Sequence, residues 1–107
     1  MQRLLFICSR NRLRSPTAET VFSAVQGVEV DSAGLAPDAE CPLSADQVEW
    51  AEIIFVMERA HRTKLTQRFK RSLNDKKVVC LDIPDNYEFM QAELVALLER
   101  KVSPHLR

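Results

Sequence analysis

Apolar residues in this chain fall into short unbroken runs, and between the runs they recur every three or four positions. The runs are Leu4-Leu5-Phe6-Ile7, Val28-Glu29-Val30 (with one charged interruption), Ile53-Ile54-Phe55-Val56-Met57 and Val78-Val79-Cys80-Leu81. Such runs lack the alternation of a half-exposed strand and suit strands covered on both faces. The β-branched content of the third run strengthens the assignment. The segments between read as helices. Ser15-Pro16 predicts a helix start, with serine as N-cap and proline at the first helical position. Ala18, Val21, Phe22 and Val25 form its apolar stripe, and Gly27 closes it. Leu43 to Ala51 predicts a short helix capped by Ser44, and Arg59 to Phe69 a basic one with Leu65 and Phe69 inward. The last helix carries Met90, Leu94, Leu97 and Leu98 on one side. Asp31 to Gly34 stops the second strand, while Leu35 to Pro42, with two prolines, and Ile83 to Tyr87 are loops.

Strands alternating with helices imply right-handed crossovers and a parallel sheet. The expected fold is α/β, a small doubly wound four-stranded parallel sheet with helices on both faces. At 107 residues the chain is expected to form one domain, 1–107, and its 46% apolar content is sufficient for a packed core. Ligands of such sheets bind beyond the carboxyl ends of the strands, at the switch point in strand order. The loop after the first strand is therefore the first place to look.

Charge changes this picture only locally. Formal net charge is zero, which removes any global attraction to nucleic acid or membrane. From Asp38 to Glu58 there are six acids and no bases, and from Arg62 to Lys77 seven bases against Asp75 alone. The basic strip reads as a solvated helix face with its following loop, and nucleic-acid binding through it is the weaker alternative. Three cysteines at irregular spacing make no disulfide framework. No C-x-x-C pair is present and the histidines stand apart, so neither a metal nor another cofactor is expected. The apolar run Leu4 to Ile7 is too short for a signal peptide, and no run is long enough to span a bilayer. A soluble, cytoplasmic protein is expected.

Cys8 and Arg14 stand six apart across a loop joining a strand to a helix start. A helix N-terminus offers unpaired N–H groups and the positive end of its dipole, and a short loop around an anion aims further N–H groups inward. Arg14 can grip two oxygens of a phosphate in one plane. Cys8 lies where a nucleophile would, and helix N-termini and arginines favour the thiolate form. Ser15 has two compatible uses, a hydroxyl donated to the sulfur or a helix cap. Cys8, Ser9, Arg10, Asn11, Arg12, Leu13, Arg14 and Ser15 are the candidate phosphate-binding residues.

The stretch Cys8-Ser9-Arg10-Asn11-Arg12-Leu13-Arg14-Ser15-Pro16-Thr17-Ala18-Glu19 resembles the signature C-x-G-N-x-C-R-S-P of the low-molecular-weight protein tyrosine phosphatases, which continues with a small residue and an acid. Ser32-Ala33-Gly34, Glu52 to Glu58 with His61, and Ile83-Pro84-Asp85-Asn86-Tyr87 resemble further segments of the family in order. The resemblance implies the phosphotyrosine phosphatase I-like fold and a two-step reaction. Cys8 would attack phosphorus, Arg14 and the loop amides would stabilise the equatorial oxygens, and Asp85 would act as acid and then base. Asn11 would hold the loop's shape. Asp82 is the alternative acid. The partner would be a phosphorylated substrate, either a phosphotyrosine protein or a small phosphomonoester.

Three departures stand out. Arg10 replaces the family's glycine, Leu13 replaces its second cysteine, and the loop Leu35 to Pro42 replaces a longer segment that builds one wall of the family's cleft. Trp50 is expected to pack rather than supply that wall. Arg10 and Arg12 read either as solvated loop arginines or as favouring a substrate with more than one anionic group. Phosphomonoesterase is thus the leading reading. A catalytically weak or inactive anion-binding module and a nucleic-acid-binding protein are the alternatives.

Overall fold

In a computed structural model, which describes residues 1–106, four parallel strands form one sheet in the order β2-β1-β3-β4. In chain order the elements are β1 (Gln2–Cys8), α1 (Arg14–Phe22), β2 (Val28–Gly34), α2 (Ala45–Trp50), β3 (Ile53–Val56), α3 (Arg59–Phe69), β4 (Lys77–Cys80) and α4 (Ala92–Val102). The expected doubly wound α/β fold is the one observed.

The unbroken apolar runs are explained by what covers them. Leu4 and Phe6 of β1 and Phe55 of β3 pack with Ala18 and Phe22 of α1 and with Leu94, Leu98 and Val102 of α4. Leu5 and Ile7 point the other way, joining Ile54, Val56, Val48 of α2 and Leu65 of α3. Successive strand residues face opposite layers. Phe6 is stacked between Phe22 and Phe55, with ring centroids 5.6 and 5.1 Å away. Trp50 is partly buried against the α2–α3 layer, as expected.

Several local expectations are corrected. Ser15 is not an N-cap: α1 begins at Arg14, Leu13 occupies the cap position, and Ser15 lies buried in the first turn. The helix stops at Phe22, so Val25 falls outside the stripe and is exposed. Asp31 to Gly34 does not end β2, because pairing with β1 continues to the Cys8–Gly34 register and overrides the weak strand propensity of those residues. Met90 precedes α4 with a positive φ of 61° and is exposed. Ser44 does cap α2, in a reciprocal arrangement with Gln47.

The order β2-β1-β3-β4 means that the chain leaves β1 toward one side for β2 and then crosses to the other for β3. The reversal leaves the carboxyl end of β1, occupied by Cys8, at the switch point. Among the described residues no helix is long and apolar enough to cross a membrane, and no group of three or more His, Cys, Asp or Glu side chains is placed to hold a metal.

Candidate active site

The loop Ser9 to Leu13 joins the end of β1 to α1, and its backbone is held from outside. The carbonyls of Cys8, Ser9 and Arg10 accept from the N–H groups of Leu35, Ala36 and Glu40 at 3.1, 2.8 and 3.0 Å. In a trans peptide the C=O and N–H point in opposite directions. Three carbonyls committed to the Leu35 to Pro42 loop therefore turn the N–H groups of Ser9, Arg10 and Asn11 toward the loop's interior. That of Asn11 reaches Cys8 Sγ at 3.2 Å. The bend falls on Asn11, whose φ is 57°, a conformation asparagine tolerates better than most residues. Arg10, at the family's glycine position, is not among the positive-φ residues, so it needs no glycine-like backbone.

Gly34 allows the outer loop to lie this close. A Cβ there would meet Ala39 Cβ at 2.6 Å and the Ser9 carbonyl oxygen at 2.8 Å. Its glycine is required by proximity, not by its own dihedrals.

A buried chain of hydrogen bonds supports the sulfur. Asn11 Nδ2 donates to Ser15 Oγ and to Ser32 Oγ, both at 2.9 Å, and the Ser32 hydroxyl donates to the Glu19 carboxylate. Ser15 Oγ, which accepts from Asn11, lies 2.9 Å from Cys8 Sγ and 3.5 Å from the Ala33 carbonyl oxygen, so its one proton can go to either. Cys8 Sγ thus accepts from one backbone N–H and touches one hydroxyl able to donate to it.

Arg14 is only 2% exposed and is gripped on one nitrogen. Nη1 donates to Glu58 Oε2 at 2.6 Å and to the Ile83 carbonyl at 2.8 Å, which uses both its protons. The Nε–Nη2 edge is left for a ligand, with Asp85 Oδ1 3.6 Å from Nε. The hydrogen bond from Arg14 holds the Glu58 carboxyl below the usual 4.5.

His61 is buried and its pKa is pushed below 6.5, chiefly by burial and then by the Arg14 charge. Its Nδ1 accepts the Glu58 N–H at 3.2 Å, so the neutral ring carries its proton on Nε2, 2.9 Å from Ser9 Oγ.

An open cleft of about 520 Å³ lies over this loop, lined by Cys8, Ser9, Arg10, Arg12, Leu13, Arg14, Ala36 and Asp85. Asn11 and Ser15 lie buried beneath it. Asp82 does not line it. That residue has a φ of 57° and its carbonyl faces Lys101. Arg10 and Arg12 are engaged by Asp38 at 3.7 Å and Glu40 at 3.3 Å, so the loop's extra positive charge is matched by the neighbouring loop. Tyr87 is partly buried against the core.

Ser32 and Glu58 lie in the segments that resemble the family, but the sequence alone assigns neither a role in the site. Ser32 lies near the carboxyl end of β2 and Glu58 caps α3 just past β3, and that position beside β1, with the motif segments, is the signal that points to them.

No family model matches the sequence, and no curated protein matches it. Solved structures match it over nearly the whole chain. The YwlE arginine phosphatase from Geobacillus stearothermophilus is 23% identical, with 98% of this chain and 93% of that one covered, at a TM-score of 0.79. The tyrosine phosphatase Wzb from Escherichia coli K30, in complex with phosphate, is 18% identical, with 97% and 95% covered, at 0.77. The low molecular weight protein tyrosine phosphatase SP-PTP from Streptococcus pyogenes is 15% identical, with 100% and 95% covered, at 0.80.

Proposed function

We propose that this chain, which has the fold of the low molecular weight protein tyrosine phosphatases, is a cysteine-dependent phosphomonoesterase that works through a phosphocysteine intermediate. The observation that carries the reading is the convergence on one point. Cys8 Sγ accepts from the Asn11 N–H and lies 2.9 Å from Ser15 Oγ, while Arg14, buried and anchored on Nη1, keeps its Nε–Nη2 edge for two phosphate oxygens.

In the first step the Cys8 sulfur attacks phosphorus and the bond to the leaving oxygen breaks. Asp85, at the cleft mouth, gives that oxygen its proton. The inward N–H groups and Arg14 stabilise the equatorial oxygens. In the second step water attacks phosphorus, Asp85 takes the water's proton, and the sulfur–phosphorus bond breaks to release phosphate and restore the sulfur nucleophile. Asp85 is favoured over Asp82 because it lines the cleft. Asn11 and Ser15 support the sulfur. The amides of Ser9, Arg10 and Asn11, with Arg12 and Leu13 bordering them, form the phosphate cradle. Neither a metal nor a cofactor is needed for this chemistry.

The substrate class is a single phosphoryl group on a protein side chain, phosphotyrosine included, or on a small molecule. Pairing of Arg10 and Arg12 with Asp38 and Glu40 argues against a preference for several phosphates. In the basic strip 62–77, two of the seven bases are engaged within the protein. Arg68 is held by the Leu35 carbonyl and lies over Phe69, and Lys76 donates to the carbonyls of Glu49 and Ala51. Cys8, Cys41 and Cys80 are all free, which supports a reducing, cytoplasmic setting.

Hydrolysis of an aryl phosphate tests the proposal. Cys8→Ser is expected to abolish turnover, and Asp85→Asn to lower it by about 10²–10⁴-fold, with phosphate binding retained in the latter. Vanadate or phosphate binding without wild-type turnover would leave an anion-binding module instead.

A further inference from the structure

The Ser9 hydroxyl is not used by the reaction just described. It lines the cleft next to the nucleophile, and its only hydrogen-bond partner among the described residues is His61 Nε2, 2.9 Å away. The direction of that bond follows from the other side of the ring. Nδ1 is occupied by the Glu58 N–H, so neutral His61 donates from Nε2 and Ser9 Oγ accepts. The serine proton is then left without an acceptor in the protein, on a side chain that borders the cleft. A hydroxyl fixed as acceptor on its buried side is a donor on its open side.

We propose that Ser9 is a substrate-binding side chain whose hydroxyl donates to an oxygen of the bound phosphoryl group, and that His61 is its positioning residue. The inference rests on the phosphatase reading, because it requires a phosphoryl group in the cradle. It adds one side-chain donor to the inward amides and to Arg14. It also explains why a buried imidazole at the start of α3 is tied to the loop after β1. His61 touches no substrate in this arrangement and acts only through Ser9.

The experiment is a double-mutant cycle on inorganic phosphate binding, followed by calorimetry, with aryl phosphate turnover measured alongside. Ser9→Ala is expected to weaken phosphate about tenfold, the effect of losing one hydrogen bond to a charged group. Ser9→Thr, which keeps the hydroxyl, is expected to restore most of that loss. His61→Gln is expected to weaken phosphate several-fold in the Ser9 protein and to have no further effect in the Ser9→Ala protein, since the two residues act as one unit. Phosphate affinity unchanged in Ser9→Ala overturns the proposal, as do strictly additive effects of the two substitutions, which would mark His61 as structural only. A wild type that binds no phosphate defeats the phosphatase reading and this inference with it, an outcome distinct from the other two.

Discussion

Arg14 Nη1 and Glu58 Oε2 stand 2.6 Å apart, joining the first turn of α1 to the N-cap of α3, just past β3, across the carboxyl edge of the sheet. A guanidinium that is 2% exposed cannot choose its orientation from solvent. Glu58 and the Ile83 carbonyl choose it by taking both protons of one nitrogen, so the opposite edge is preset for an oxyanion.

That relationship gives a first prediction. Glu58→Ala should leave Arg14 buried and misaimed, lowering kcat/KM on an aryl phosphate about 10²-fold, the effect of a displacement of roughly 1 Å at a reacting centre. Glu58→Gln keeps an acceptor and should retain most of the activity. Equal activity in all three proteins would mean that Arg14 is oriented by other groups.

Asn11 contributes both a left-handed backbone and two side-chain donors, and the two contributions can be separated. Asn11→Gly accommodates the φ of 57° but leaves Ser15 and Ser32 without their donor, whereas Asn11→Ala loses both. We predict that both variants lose most turnover and that each costs about 1–3 kcal/mol of stability, with alanine the worse by about 1 kcal/mol. A glycine variant with wild-type turnover would show that the side-chain bonds are dispensable.

Gly34→Ala should be felt at a distance from its own dihedrals. The added methyl meets Ala39 Cβ at 2.6 Å and the Ser9 carbonyl at 2.8 Å, so the Leu35 to Pro42 loop must move off the phosphate loop. The expected cost is about 1–3 kcal/mol in urea unfolding, together with weaker phosphate binding. Lost stability with unchanged binding would refute the idea that the outer loop turns the inner amides inward.

Acid should loosen the site by way of His61 and Glu58. Burial, Arg14 and Lys64 lower the His61 pKa below 6.5, against the opposing charges of Glu58 and Asp85. The Arg14 hydrogen bond holds Glu58 below 4.5. In both cases the unfolded chain binds the proton more readily, so stability rises with pH through these windows. The His61 contribution is complete above 6.5 and is lost as pH falls through its lowered pKa. That of Glu58 is complete above 4.5 and is lost on further acidification. Urea midpoints for wild type and His61→Gln, taken from about pH 7 to about pH 5, should show a steeper decline in the wild type. Parallel curves would count against it.

Much of this was legible in one dimension. Four unbroken apolar runs separated by helical patterns dictate a parallel sheet covered on both faces, because only burial on both faces makes Leu4 to Ile7 and Ile53 to Met57 apolar throughout. The Cys8 to Ser15 segment also identifies itself, since a nucleophile, an arginine six residues on and a Ser-Pro helix start lie within one loop. Local signals were weaker guides to boundaries. Pairing with β1 carried β2 through Asp31 to Gly34, and the chain reached helical geometry one residue before Ser15, which moved that hydroxyl from a cap to the sulfur.

Cys8, Arg14 and the strand pattern are thus set by sequence alone, because each depends on neighbours within a few residues. Glu58 on Arg14, His61 on Ser9, Ser32 and Glu19 beneath Asn11, and the acids that take up Arg10 and Arg12 were decided by tertiary structure. Those hydrogen bonds span 13 to 52 positions of chain. The partners come from different strand ends and loops, and only the order β2-β1-β3-β4 brings those to one edge of the sheet.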